Sequence, residues 1–293
     1  MRLANIRQGQ RLGLAACAEG RFHVSMEGAP GHPGSLAQLV RAGADLGAAG
    51  RALLASPGLD PAGFEVLPPL LHPGKILCIG LNYAEHISET GLTPPIYPEV
   101  FARFASTLVG HGGAIVRPEL STQLDFEGEL AVVVGRGGRR IPATVALEHV
   151  AGYSVFNDAS LRDYQFKTRQ WTMGKNFDGT GAFGPVLVTP EELPPGARGL
   201  RLRTRLNGVV LQDTRTDRMI FDVATLIAML SEVMTLSAGD LIVTGTPSGV
   251  GFSRQPPVFM VPGDVCEVEV EGVGLLRNPI VEETTGMAPV PGP

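Results

Sequence analysis

Apolar and polar positions alternate loosely over residues 2–7 and again over 11–18, on either side of Gln8-Gly9-Gln10. A period of two broken by a glycine turn predicts a β-hairpin at the start of the chain. After the glycine- and proline-rich stretch 28–34 the period changes. Leu36, Leu39, Val40, Leu46, Leu53 and Leu54 recur at helical spacing, and Ser35 stands where an N-cap would. One helix over 35–54 is expected, weakened by Gly43, Gly47 and Gly50. Pro68-Pro69 and His72-Pro73-Gly74 then punctuate the chain and place a boundary near residue 73.

Beyond that boundary short apolar runs prevail. Strands are expected at 76–80, 130–135, 152–157, 185–189, 200–206, 241–244 and 265–270. The clearest helix is 222–233, where Val223, Leu226, Ile227, Leu230 and Val233 form a stripe and Asp222 can cap. Many short strands with few helices favour a β-rich α+β fold over a Rossmann sheet. Residues 245–251 hold three glycines beside Thr246, Pro247 and Ser248, but lack the phosphate-loop lysine. Residues 286–293 form a tail.

Composition narrows the class. With 44% hydrophobic and 18% charged residues, the 293-residue chain can build a core. Its 38 glycines and 24 prolines, without a period, agree with many turns. A net charge of −5 argues against a nucleic-acid coat, and the arginines at 198, 201, 203 and 205 make only a short local bias. Cys17, Cys78 and Cys266 are too scattered for a disulfide framework or zinc cluster. The N-terminus lacks the apolar core of a secretion signal, and runs such as 130–134 are too short to cross a bilayer. A cytoplasmic protein is expected.

The string Asp125-Phe126-Glu127-Gly128-Glu129-Leu130 is the most informative one. Glu127 and Glu129 are two apart, so in an extended chain both carboxylates leave the same face. By itself the string reads first as an exposed acidic strand. Its second reading is a surface for a hard divalent cation, with Asp158 as third carboxylate. Asp158 alone reads equally as the cap of a helix over 159–165. His86 and Glu89, three apart after the 76–80 strand, would share one helical face as an imidazole–carboxylate pair.

In series, these segments resemble the fumarylacetoacetate hydrolase family over roughly residues 73–283. The resemblance runs through 80–89, 125–130, 152–165, Gly174-Lys175-Asn176-Phe177-Asp178, Asn207-Gly208, Gln212, Thr216 and 239–247. It implies a mixed β-roll, with residues 1–72 as a small N-terminal α/β domain and 73–285 as the catalytic domain, in a homodimer. It also implies that Glu127, Glu129 and Asp158 ligate Mg2+ or Mn2+, that His86 and Glu89 activate water, and that Lys175 is the active-site lysine. Arg162 and Gln165 fall on the segment that acts as a lid in the family, Thr246 in the loop facing the substrate, and Asn82 and Tyr83 on the loop shaping that pocket. Trp171, Phe166 and Phe177 are candidates for a pocket wall, and Arg103, Arg162, Arg169 and Arg215 for a second substrate carboxylate. The implied substrate is a small 2-oxo acid, with no nucleic-acid or membrane partner. The implied reaction is hydrolysis of a 2,4-dioxo acid such as fumarylpyruvate to pyruvate and a carboxylic acid. Decarboxylation of oxaloacetate, or a tautomerase or sugar-acid reaction of the same family, is the alternative.

Overall fold

The computed structural model of the chain describes residues 1–85 and 95–284; His86, Glu89 and the tail 286–293 lie outside the described residues. The expected hairpin forms, with β1 (Arg2–Gln8) and β2 (Arg11–Ala18) paired antiparallel around Gly9. β3 (Arg21–Met26) extends it. Two short helices follow, α1 (Leu36–Arg41) and α2 (Leu46–Leu53). The single helix expected over 35–54 is thus broken. Gly43 takes φ +63°, and the Asp45 side chain accepts from the Ala48 N–H at 2.8 Å to start the second helix. Both helices bury their leucines against one sheet face, so the apolar spacing carries through the break.

The remaining long strands are β4 (Ile76–Gly80), β5 (Glu99–Arg103), β6 (Gly128–Val134), β7 (Val150–Asp158), β8 (Gly181–Val188), β9 (Arg201–Leu206), β10 (Val209–Arg215), β11 (Leu241–Val243), β12 (Val265–Val270) and β13 (Gly274–Glu282). The longer helix is α5 (Val223–Val233); α3 (Arg162–Gln165) and α4 (Thr172–Lys175) are single turns. The large sheet runs β3-β2-β1-β8-β7-β6-β11-β4-β5, and a second sheet runs β10-β9-β12-β13. β11 and β4 are parallel, while β6 is antiparallel to both β7 and β11.

β6 explains why the large sheet is central. All seven of its residues are buried, and successive side chains enter opposite layers. Leu130, Val132 and Val134 pack with Leu226, Ile227 and Leu230 of α5 and with Val268 and Leu276 of the second sheet. Ala131 and Val133 pack with Leu36, Leu39 and Leu53 of α1 and α2. A continuous apolar run is what a strand covered on both faces requires. The strands without an apolar signature, β5 and β10, lie at sheet edges, where alternate or successive residues stay exposed. Among the described residues no helix is long and apolar enough to cross a membrane.

Candidate active site

The register of β6 and β7 assembles the acidic cluster. Gly128 lies opposite Asn157, so Glu127 and Asp158 face one another at the strand ends, and the Asp158 N–H donates to the Glu127 carbonyl at 2.9 Å. Glu129 leaves the same side of β6 as Glu127. One carboxylate oxygen from each of Glu127, Glu129 and Asp158 falls within 4.8 Å of the others, and all three residues are buried. Gly128 between the two glutamates is a packing necessity. A Cβ there would overlap the Thr204 hydroxyl and come within 2.9 Å of Val268 Cγ1, where the two sheets meet.

Cations hold this cluster together. Lys175 Nζ donates to Glu127 Oε2 and to Asp158 Oδ2, both at 2.7 Å. Arg162 pairs through Nη1 with Glu127 Oε1 at 2.6 Å and through Nε with Asp125 Oδ2 at 2.8 Å. Arg103 pairs with Asp158 Oδ1 and also donates to Thr180 Oγ1 at 2.7 Å. Burial pulls the Lys175 pKa down, but Asp158 and Glu127 outweigh it and hold the ammonium above its ordinary value. Four carboxylates therefore face three cationic side chains. Among the described residues Glu129 is the carboxylate without a Lys or Arg partner; it accepts instead from the Gly245 N–H, which the glycine's φ of +99° turns toward it. Burial first, then Asp158 and Glu127, push its carboxyl well above the usual carboxylate range. A carboxyl with no cationic partner, in an all-oxygen donor set, fits a hard divalent cation such as Mg2+ or Mn2+, whose charge would favour its ionised form.

A cavity of about 190 Å³ opens on the cluster, lined by Ile79, Gly80, Leu81, Phe101, Glu127, Arg162, Gln165, Phe166, Trp171, Lys175, Thr246 and Phe252. The structure thus brings Glu127, Glu129, Asp158, Lys175, Arg162, Gln165 and Thr246 to one place. Arg162 and Gln165 are buried rather than surface residues of a helix, joined by an Nη1–Oε1 hydrogen bond of 2.8 Å. The Thr246 hydroxyl accepts from Gln212 Nε2 at 2.9 Å, and Gln212 Oε1 accepts from the Gly128 N–H at 3.0 Å, so one amide ties the Thr246 loop to β6. Tyr83 is buried and does not line the cavity; burial, then Glu129 and Asp217, raise its phenol pKa. Asn82 beside it clamps the backbone at Phe221 and Thr244.

Several expectations need correction. Asp158 does not cap a helix over 159–165: Ser160–Leu161 is a strand paired with Leu124–Asp125, and α3 begins only at Arg162. Arg103 is committed to Asp158, so it is not available for a substrate tail. Arg169 and Arg215 are exposed, the latter donating to the Gly199 carbonyl. Phe177 packs edge-on against Tyr164 at 5.0 Å, outside the cavity wall. Asp125 received no role from the sequence, yet it accepts from Arg162 and from the Gly251 and Phe252 N–H groups. Phe101 and Phe252 carry no local signal, because only the tertiary fold brings them to the site.

Residues 75–281 match the fumarylacetoacetate (FAA) hydrolase C-terminal family. The chain is 41% identical to human "Oxaloacetate tautomerase FAHD2A, mitochondrial" over 256 residues, 86% of this chain and 81% of that protein. It is 42% identical to the Xenopus laevis "Oxaloacetate tautomerase fahd2, mitochondrial" over 225 residues, 76% of this chain and 70% of that one. Among solved structures, a fumarylacetoacetate hydrolase from Exiguobacterium antarcticum superposes with a TM-score of 0.84 at 36% identity, covering 97% of this chain and all of that one. The cytoplasmic location expected from the sequence is overturned by the names of the two tautomerases, both of which are mitochondrial.

Proposed function

The chain belongs to the fumarylacetoacetate hydrolase family, as a metal-dependent enzyme of small oxo acids, and on that premise we propose that it interconverts the enol and keto forms of oxaloacetate or a similar 2-oxo diacid. The likeness to two oxaloacetate tautomerases across most of the chain carries the reading. It takes precedence over the C–C hydrolysis that the sequence resemblance put first.

Glu127, Glu129 and Asp158 would hold the cation, Mg2+ or Mn2+, which when bound supplies a Lewis acid that polarises the 2-oxo group and acidifies the neighbouring C–H. With a divalent charge added, the cluster's excess turns positive, the sign that draws in an anionic oxo acid. Lys175, kept protonated by its two carboxylates, is a donor toward the developing enolate oxygen rather than a base. Arg162 Nη2 is buried without an acceptor among the described residues, which suits it to the distal carboxylate. Gln165 and Thr246 orient the proximal one. Phe101, Phe166, Trp171 and Phe252 give the cavity an apolar lining, an advantage for a reaction that needs a proton moved and no water added. His86 and Glu89 are assigned the proton at C3.

The test follows the enol of oxaloacetate by its ultraviolet absorbance. Metal-stripped protein is expected to be silent, Mg2+ or Mn2+ to restore turnover, and Glu127→Gln to lose at least about 100-fold. NMR of the products separates the alternatives. Pyruvate and CO2 formed faster than the enol relaxes would make the enzyme a decarboxylase. Pyruvate and acetate from acetylpyruvate, with the oxaloacetate enol untouched, would make it a hydrolase.

A further inference from the structure

Resting on the tautomerase reading for the substrate's identity, we propose that Trp171 is the specificity-determining wall of the cavity, admitting a four-carbon 2-oxo acid and turning longer homologues away. The indole lies flush on β4. A Cβ at Gly80 would come within 2.7 Å of Trp171 Cη2, so only glycine at this strand position lets the ring settle there. The ring meets Phe101 edge-on, with centroids 5.5 Å apart and planes at 69°. The face of Phe101 in turn sits 4.9 Å from Lys175 Nζ. From the ammonium outward the wall is therefore Phe101 and then Trp171, both apolar.

The space beside that wall is small. At about 190 Å³ it exceeds the roughly 150 Å³ that holds one benzene, and it falls below the roughly 300–1,000 Å³ of drug-sized sites. Trp171 is also fixed relative to the chemistry: it immediately precedes α4, and its carbonyl accepts from the Gly174 N–H at 3.0 Å, one residue before Lys175. A wall rigidly tied to the reacting group measures tail length from that group. One methylene too many in such a pocket costs about 10- to 200-fold.

The same placement gives Trp171 a second conceivable job, anchoring α4, and the experiment separates the two. Calorimetry on the full-length, Mg2+-loaded protein compares oxalate, a short probe that fills the 2-oxo acid position, with 2-oxoadipate, two methylenes longer than oxaloacetate. In the wild type 2-oxoadipate is expected to bind at least about tenfold more weakly than oxalate. Trp171→Ala is expected to shrink that ratio by about tenfold or more, and Trp171→Phe by a few-fold, with thermal unfolding reporting that each variant is folded. If the alanine variant does not fold, the phenylalanine variant decides by the same ratio. Equal weakening of both probes, with the ratio unchanged, overturns the proposal and leaves only an anchor. A wild type that binds both probes alike overturns it too. The predicted ratio shift in a protein that leaves the oxaloacetate enol untouched overturns the tautomerase reading alone and upholds the wall.

Discussion

Lys175 is almost wholly buried, and its ammonium separates two carboxylates that would otherwise repel across the ends of β6 and β7. Taking one partner out of a buried ion pair leaves an uncompensated charge and costs about 3–5 kcal/mol. Lys175→Met is expected to lose stability of that order in metal-stripped protein. Saturating Mg2+ should recover part of it, because a divalent cation supplies the missing positive charge, whereas enol turnover should stay lost. Urea unfolding with and without Mg2+ measures this; a variant as stable as wild type without metal would mean that Lys175 does not hold the cluster. The partners of this residue also show what a sequence exposes. Glu127 and Glu129 are legible because a two-residue spacing on a strand is local geometry. Lys175 and Asp158 come from an ordered series of motifs. Arg103 lies outside that series, and Asp125, though inside it, drew no role of its own, since their ion-pair partners lie 55 and 37 residues away. Only β-sheet register and the packing of α3 bring them into contact.

At the scale of elements, two single-turn helices hold the cationic side of the site. α3 carries Arg162 and Gln165, α4 ends on Lys175, and they touch at Gly174, where a Cβ would come within 2.5 Å of Gln165 Cα. That backbone contact leaves no room for any side chain. Gly174→Ala is expected to leave the β-sheets folded, to push the two helices apart and to lower kcat/KM for the enol by about 100-fold, the scale of a 1 Å misplacement of reacting groups. Circular dichroism beside steady-state kinetics checks it, and unchanged kinetics in the folded variant would show that the two turns are not coupled. Elements of four residues are too short to display a helical period, which is why the sequence offered a helix over 159–165 where only α3 forms and offered none at α4. At 35–54 one expected helix is two, because two helices facing one layer share a period. Buried strands such as β6 and the capped helix α5 were legible because burial on both faces, or on one stripe, writes itself into composition.

Over the whole molecule, the composition boundary near residue 73 is crossed by the hydrogen bonds of the large sheet. β1 pairs with β8, Arg2 opposite Val188 and Leu3 opposite Leu187, and Leu3, Leu187 and Ala131 share one core layer with the leucines of α1 and α2. The N-terminal amine donates to Thr189 Oγ1 at 2.6 Å and Glu192 Oε1 at 2.8 Å, closing the same seam. β8 in turn pairs with β7, whose last residue is Asp158. A disturbance at the N-terminus thus reaches a candidate metal ligand through two strand pairings. The expected consequence is a single unfolding transition in scanning calorimetry, with no separate melting of residues 1–72. Mg2+ at about 100 times its Kd should shift that whole transition by roughly 2.7 kcal/mol of stability, the mass-action gain of a ligand bound only by the native state. A chain beginning at residue 73 would bare the β8 edge and the apolar layer under α1 and α2, an aggregation-prone combination, and is expected to be insoluble or unfolded. Two resolved transitions, with Mg2+ moving only one, would instead mean that the N-terminal strands fold independently and merely dock on β8.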